Sequence, residues 1–146
     1  MSVRPFIMRL RHDQSGAALV EFAILAPAFF AMLFGVIQVG LQMWSYNSLR
    51  SIVADTARYA MVEYQKGNQI TTDQIETKAI AVAVNSPYDF NIDNIGTVQA
   101  DPVSPSDISG MTEISLTFSY TPPTVLDFTG LHAPTLSITR PIYVTS

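Results

Sequence analysis

The feature that most constrains this chain is an unbroken apolar segment near its N-terminus. From Phe22 to Ile37 the sequence reads FAILAPAFFAMLFGVI and contains no polar side chain. As a helix, the wider stretch 17–44 would span about 42 Å, whereas the hydrocarbon core of a bilayer is roughly 30 Å thick. The segment therefore predicts one transmembrane helix over 17–44, in contact with the lipid bilayer and locally kinked at Pro27.

The basic residues predict the orientation of this helix. Arg4, Arg9 and Arg11 come directly before the apolar segment, and only Arg50 and Arg58 follow it closely. Positive residues accumulate on the cytoplasmic side of membrane helices, so the N-terminus is expected in the cytoplasm and residues 45–146 outside it. Trp44, at the far end of the segment, suits the opposite membrane interface.

The composition beyond Trp44 excludes several function classes. Acidic residues outnumber basic ones there by two to one, which disfavours nucleic acid as a partner because its phosphates select clustered Lys and Arg. The chain has no cysteine, so it cannot form a disulfide or a thiolate metal site. Its 146 residues suit one domain, and no internal repeat is visible.

The outer part is predicted to begin as a continuation of the same helix, over 45–66. Its apolar residues fall on one face, and Lys66-Gly67-Asn68 provides a stop signal. The face comprises Leu49, Ile52, Val53, Ala57, Ala60 and Tyr64. A second helix is expected over 71–85, capped by Thr71 or Thr72, with Ile75, Ala79 and Val82 on its apolar face and ended by Pro87.

Three antiparallel strands are predicted to complete the outer domain, within 95–145. They cover Ile95–Ala100, Thr112–Thr121 and Pro134–Thr145, and Pro141 favours an edge position for the last strand. In the second strand the apolar residues Ile114, Leu116, Phe118 and Tyr120 alternate with Glu113, Ser115, Thr117 and Ser119. The expected fold class is α+β, with a sheet covering the outer half of the long helix.

Three features coincide where the polar N-terminus meets the apolar segment. The sequence there is Gln14-Ser15-Gly16-Ala17-Ala18-Leu19-Val20-Glu21-Phe22. A basic polar stretch ends at Gly16, and a lone carboxylate, Glu21, follows five residues later. A charge inside a membrane segment costs about 2.5–3.5 kcal/mol on insertion scales, so Glu21 is either functional or placed at the headgroup level.

This junction resembles the class III signal of type IV pilins, and the wording GAALVEFAILAPAFFAMLFGVIQVGLQMW is most similar to TadE-like pseudopilins of the tight-adherence (Tad/Flp) pilus. The resemblance implies a pilin-like fold, a cytoplasmic leader over 1–16, and cleavage between Gly16 and Ala17 by a prepilin peptidase. It also implies that Glu21 and Phe22 act in recognition and assembly. The expected function is that of a minor pilin or pseudopilin in a bacterial inner membrane, with its outer domain in the periplasm. Expected partners are other Tad pilins and pseudopilins and the inner-membrane assembly platform.

Two alternatives stay open at this stage. Ala26-Pro27-Ala28 resembles a secretory cleavage site, although the apolar segment continues beyond it and proline fits such a site poorly. The chain could also be an uncleaved, single-pass anchor for a binding or adaptor domain.

No sequence pattern predicts an enzyme or a cofactor. His12 and His132 are too few for a His-rich metal site, and no phosphate-binding glycine loop is present. Asp89, Asn91 and Asp93 alternate as in the start of an EF-hand calcium loop. Asn94 and Ala100 stand where that loop requires glycine and glutamate, so a solvated turn after Pro87 is favoured over a calcium site.

Overall fold

The computed structural model of the chain describes residues 14–127, 130 and 132–145. Most of the predicted leader therefore lies outside the described residues. The helices are α1 (Gln14–Gln65) and α2 (Thr72–Val84), and the strands are β1 (Ile95–Val103), β2 (Met111–Tyr120) and β3 (Leu136–Thr145). The predicted α+β class is confirmed: a long N-terminal helix, a second helix and a three-stranded antiparallel sheet. The chain divides into two units, with the boundary after Gln38.

The first unit contains the apolar part of α1. Its large side chains point outward around the whole helix, as Leu19, Phe22 and Ile24 show with 71%, 67% and 71% exposure. Among the described residues, α1 is the one helix long and apolar enough to cross a membrane, and none of its most apolar stretch is buried. Apolar side chains exposed on all sides need a nonpolar surrounding, which indicates single-pass membrane anchoring.

The second unit is built on the outer part of α1. The predicted apolar face is confirmed, because five of its members have at most 1% exposure: Leu49, Ile52, Val53, Ala57 and Ala60. They share one core with α2 and with the inward side chains of the sheet. Ser45 and Thr56, also fully buried on α1, were not anticipated. The Thr56 hydroxyl donates to the Ile52 carbonyl oxygen at 2.8 Å.

The end of α1 has a specific backbone geometry at the predicted stop. Gly67 has a φ of 84°, and its N–H donates to the Tyr64 carbonyl while Asn68 N–H donates to the Glu63 carbonyl, both at 3.0 Å. This pair of bonds is a Schellman motif, which satisfies carbonyls that would otherwise lack partners. Lys66 and Asn68 also donate to the Glu63 carboxylate, and these bonds lower its pKa.

The start of α2 explains why the chain turns into a helix after Ile70. Thr71 accepts a hydrogen bond from Gln74 N–H, and the Gln74 side chain accepts one from Thr71 N–H, which together form a capping box. Ile75, Ala79 and Ala83 on one face of α2 are fully buried, and Val82 is partly buried against the same core.

The sheet has the order β1-β2-β3, with both pairs antiparallel. Pro141 lies in β3 at the edge, as predicted, opposite Ser115. The other edge is partly covered by α2, because the Glu76 carboxylate accepts a hydrogen bond from Ala100 N–H at 2.8 Å. Phe90 stacks on Tyr120 with 3.9 Å between ring centroids, and Trp44 contacts Phe90 at 5.9 Å.

The polar side of β2 departs from simple alternation at two residues. Glu113 and Ser119 are buried, although their positions in the pattern predicted exposure. Glu113 is covered because the β1–β2 connection folds back and Asp107 N–H donates to its carboxylate at 3.1 Å. Ser119 donates to the Thr97 carbonyl at 3.1 Å, beside an irregularity in β1 where Gly96 leaves room for the Ser119 hydroxyl.

Candidate processing and assembly site

The predicted processing and assembly residues all lie on α1. The transmembrane helix was predicted to begin at residue 17, whereas the described part of α1 begins at Gln14, so Gly16 and Ala17 are both helical. A Cβ placed on Gly16 would meet nothing within 4 Å. The Gly16–Ala17 bond lies in the first described turn of α1.

Ala17 and Glu21 are four residues apart and so lie on one face of α1. Both are exposed, as are their neighbours Leu19, Val20 and Phe22. None of the ion pairs formed among the described residues involves Glu21. A carboxylate surrounded by apolar side chains is stabilised by a nearby cation, so this position suits an interaction with a positively charged group.

The helix continues through Pro27 without interruption. Pro27 has no N–H to donate to residue 23, so one hydrogen bond of the helix is missing there. A local kink at this residue remains a prediction. Phe29, Phe30 and Phe34 follow within two turns, with ring centroids 5.6 Å and 6.1 Å apart for the successive pairs.

Comparison with known protein families bears directly on this junction. Residues 16–58 match the family model of TadE-like proteins. The TadE-like segment begins at Gly16, crosses the apolar part of α1 and ends within its buried outer face. It covers less than a third of the chain, and over that range the predicted resemblance is confirmed. The match indicates a protein associated with the Tad pilus. The TadE-like family is not known for enzymatic activity. No curated protein and no solved structure gave a significant match.

One groove in the outer domain was not predicted from the sequence. It has a volume of about 650 Å³ and lies between the outer half of α1 and α2. Tyr88 donates to the Asp55 carboxylate at 2.9 Å across it, and Lys78 Nζ lies 4.9 Å from the Tyr59 ring centroid. Burial, and then the bond to Asp55, raise the pKa of Tyr88. The groove forms only when residues far apart in sequence pack together, so no local pattern could reveal it.

The calcium candidates form a turn. Asn91 accepts a hydrogen bond from Asp93 N–H at 3.0 Å and caps the short 3-10 helix Ile92–Asn94, while Asp89 has a positive φ of 47°. Within the part of the chain that the structure describes, no three His, Asp or Glu side chains are grouped to hold a metal ion. His132 lies 3.2 Å from Asp127, and both side chains are exposed, as expected of loop residues.

Proposed function

We propose that this chain is a minor pilin or pseudopilin required for assembly of a Tad-type pilus. The observation that carries the proposal is the family match, which starts at the glycine of the junction and continues along the helix that would pack in the membrane. The role is structural: the chain contributes a helix and an outer domain to an assembly, and it performs no catalysis.

In this proposal a prepilin peptidase removes Met1–Gly16. Glycine at the scissile position gives the enzyme access to the backbone without a side chain in the way. The open space around Gly16 and its place in the first turns of α1 support this step. Cleavage creates a free α-amine on Ala17, four residues before Glu21.

The new amine supplies a cation for Glu21. Arg11 is lost with the leader, and the next basic residue in the sequence is Arg50. The Glu21 carboxylate can then pair with the Ala17 amine of a neighbouring subunit or of another pilin of the system. Such a pair removes the cost of an isolated charge in an apolar bundle, so it favours helix association over dispersal in lipid.

The proposed location is a bacterial inner membrane, with the N-terminus in the cytoplasm and the outer domain in the periplasm. The three arginines of the leader support this orientation. A reporter enzyme that is active only outside the cytoplasm, fused after Ser146, should be active. A fusion active only in the cytoplasm would reverse the orientation and remove the assembly mechanism with it.

Variants of Glu21 test the function, because they should prevent assembly without preventing cleavage. Glu21→Gln and Glu21→Ala should still insert and lose the leader, but cross-linking to partner pilins should fall to background and pili should be absent. Glu21→Asp should lose part of the cross-linking, because its shorter side chain reaches less far. Glu63→Gln, which removes a carboxylate at the opposite end of α1, is the matched control and should assemble normally. Normal assembly of Glu21→Ala would mean that the carboxylate is only an interfacial residue.

The second candidate is an uncleaved, membrane-anchored adaptor. The groove between α1 and α2, with its aromatic and charged lining, favours a binding role of this kind. An adaptor would keep Met1–Gly16 and would not depend on Glu21, so the same experiment distinguishes the two.

A further inference from the structure

Two arginines of the second unit come together although they are ninety residues apart in sequence. Arg50 on α1 and Arg140 on β3 line one small cavity of about 210 Å³, together with Val53, Ile138 and Thr139. The lining contains no carboxylate. Among the described residues, neither arginine has an acidic partner within ion-pair distance. This pairing is unexpected in a domain whose acidic residues outnumber its basic ones two to one.

The other basic residues of this unit differ from these two. Lys66 pairs with Glu63 at 2.8 Å, and Lys78 lies over the Tyr59 ring. Arg58 lines the larger groove, where Asp55 and Glu63 are also present. Arg50 and Arg140 are thus the two cations that share a surface without an acidic residue, so that surface is suited to an external anion.

The position of Arg140 in the sheet is unusual for a charged residue. It pairs with Leu116, and directly opposed residues in a sheet face the same side. Leu116 is fully buried, and Ile142, two residues from Arg140, has 1% exposure. Arg140 therefore occupies a position on the side of β3 where the alternation favours an apolar residue, and it lines the cavity beside α1.

The position of Arg50 sets the depth of the cavity relative to a membrane. Arg50 follows Trp44, the last residue of the predicted span, by six residues, which is about 9 Å along a helix. Helical side chains lean toward the N-terminus, and the Arg50 guanidinium carbon lies 5.9 Å from the Tyr46 ring centroid, one turn back. The guanidinium is therefore brought toward Trp44, into the zone of roughly 5–7 Å that headgroups occupy on each side of the hydrocarbon.

We propose that Arg50 and Arg140 bind the phosphate of an anionic phospholipid headgroup on the side of the membrane that carries the outer domain. Guanidinium groups present paired N–H donors that match phosphate oxygens, and the cation–π contact of Arg50 with Tyr46 does not use those donors. The inference rests on the anchoring and orientation given under the proposed function. It adds a lipid contact that fixes the outer domain at the membrane surface.

Trp44 provides the measurement, because it is the only tryptophan in the chain. The full-length protein is placed in phosphatidylcholine nanodiscs that contain a minor fraction of bromine-labelled phosphatidylglycerol or of bromine-labelled phosphatidylcholine. The ratio of the two quenching strengths reports local enrichment of the anionic lipid around Trp44. The leader arginines are at the other end of the span and too distant to affect this ratio.

The wild-type chain should favour phosphatidylglycerol by about fivefold, a normal effect for basic side chains at an anionic surface. Arg50→Gln and Arg140→Gln should each lower the preference, and the double variant should bring the ratio close to one. Arg50→Lys should retain part of it, since the charge remains but the paired N–H donors of the guanidinium are lost. Arg58→Gln removes the same charge farther along α1 and should leave the ratio unchanged.

Five outcomes would contradict the proposal. An equal response to both lipids in the wild type, or an unchanged preference in the double variant, excludes a headgroup site. In another outcome, Arg140→Gln aggregates but keeps its lipid preference, and Arg50→Gln behaves as wild type. That result would mean that Arg140 protects the β3 edge from aggregation. Loss of the preference on adding inorganic phosphate at constant ionic strength would make this a site for soluble phosphate. Absence of quenching by either lipid would contradict membrane anchoring itself, and with it the proposed function.

Discussion

The two halves of α1 contain the same kinds of apolar residue in opposite surroundings. Ile24, in the inner half, has 71% of its surface exposed, whereas Ile52, in the outer half, has none. The inner half is apolar on every side, and the outer half is apolar on one face only. The surroundings that each half of the helix requires are therefore indicated by the distribution of apolar residues around the helix, and not by their number.

One substitution in each half of α1 tests this difference most directly. Ile52→Ala should destabilise the outer domain by about 2–5 kcal/mol, because it removes packed methyl groups from a closed core. Ile24→Ala should change the unfolding free energy of that domain by less than about 0.5 kcal/mol. Urea unfolding of the full-length protein in detergent micelles, followed by near-ultraviolet circular dichroism, measures both. Equal losses would mean that Ile24 packs against protein in the isolated chain.

Glycine substitutions test the same difference between the two halves of α1, with smaller expected changes in the free energy of unfolding. Gly67→Ala should cost about 1 kcal/mol, because a Cβ strains the positive φ of 84° at the end of α1. Gly67→Asn should cost less, since asparagine tolerates this conformation better. Gly35→Ala, in the inner half, meets nothing within 4 Å and should leave the outer domain unaffected. The same unfolding assay applies, and a Gly67→Ala variant as stable as wild type would contradict the capping role of Gly67.

Much of the fold could be predicted because local signals agree with the tertiary arrangement. The buried face of α1, the cap at Thr71 and the edge position of Pro141 each follow from a spacing or a residue type. The early start of α1 at Gln14 was missed, since nothing between Gln14 and Ala18 acts as a strong helix signal. β1 also extends to Val103, beyond the predicted Ala100, because pairing with β2 holds Pro102 in the ladder despite its missing N–H.

Part of the candidate site could likewise be predicted from the sequence, whereas the cavities could not. Gly16, Ala17, Glu21 and Phe22 are contiguous, so a sequence pattern was enough to single them out, and the family match begins at Gly16. The Arg50–Arg140 cavity and the groove at Tyr88 could not be predicted. Their residues come together only after β3 and α2 pack against α1, and neither basic residue nor tyrosine carries a distinctive local pattern.

The most direct test of the central claim is the N-terminus of the mature protein. The full chain is expressed with a Tad-type prepilin peptidase, purified from membranes, and its intact mass and N-terminal sequence are determined. The mature chain should have lost Met1–Gly16 and should begin at Ala17. Gly16→Trp should retain the whole leader, and Gly40→Ala, the control, should be processed normally. A mature chain that begins at Met1 or Ser2 beside an active peptidase, or near Phe29 as after a secretory signal, would contradict the account.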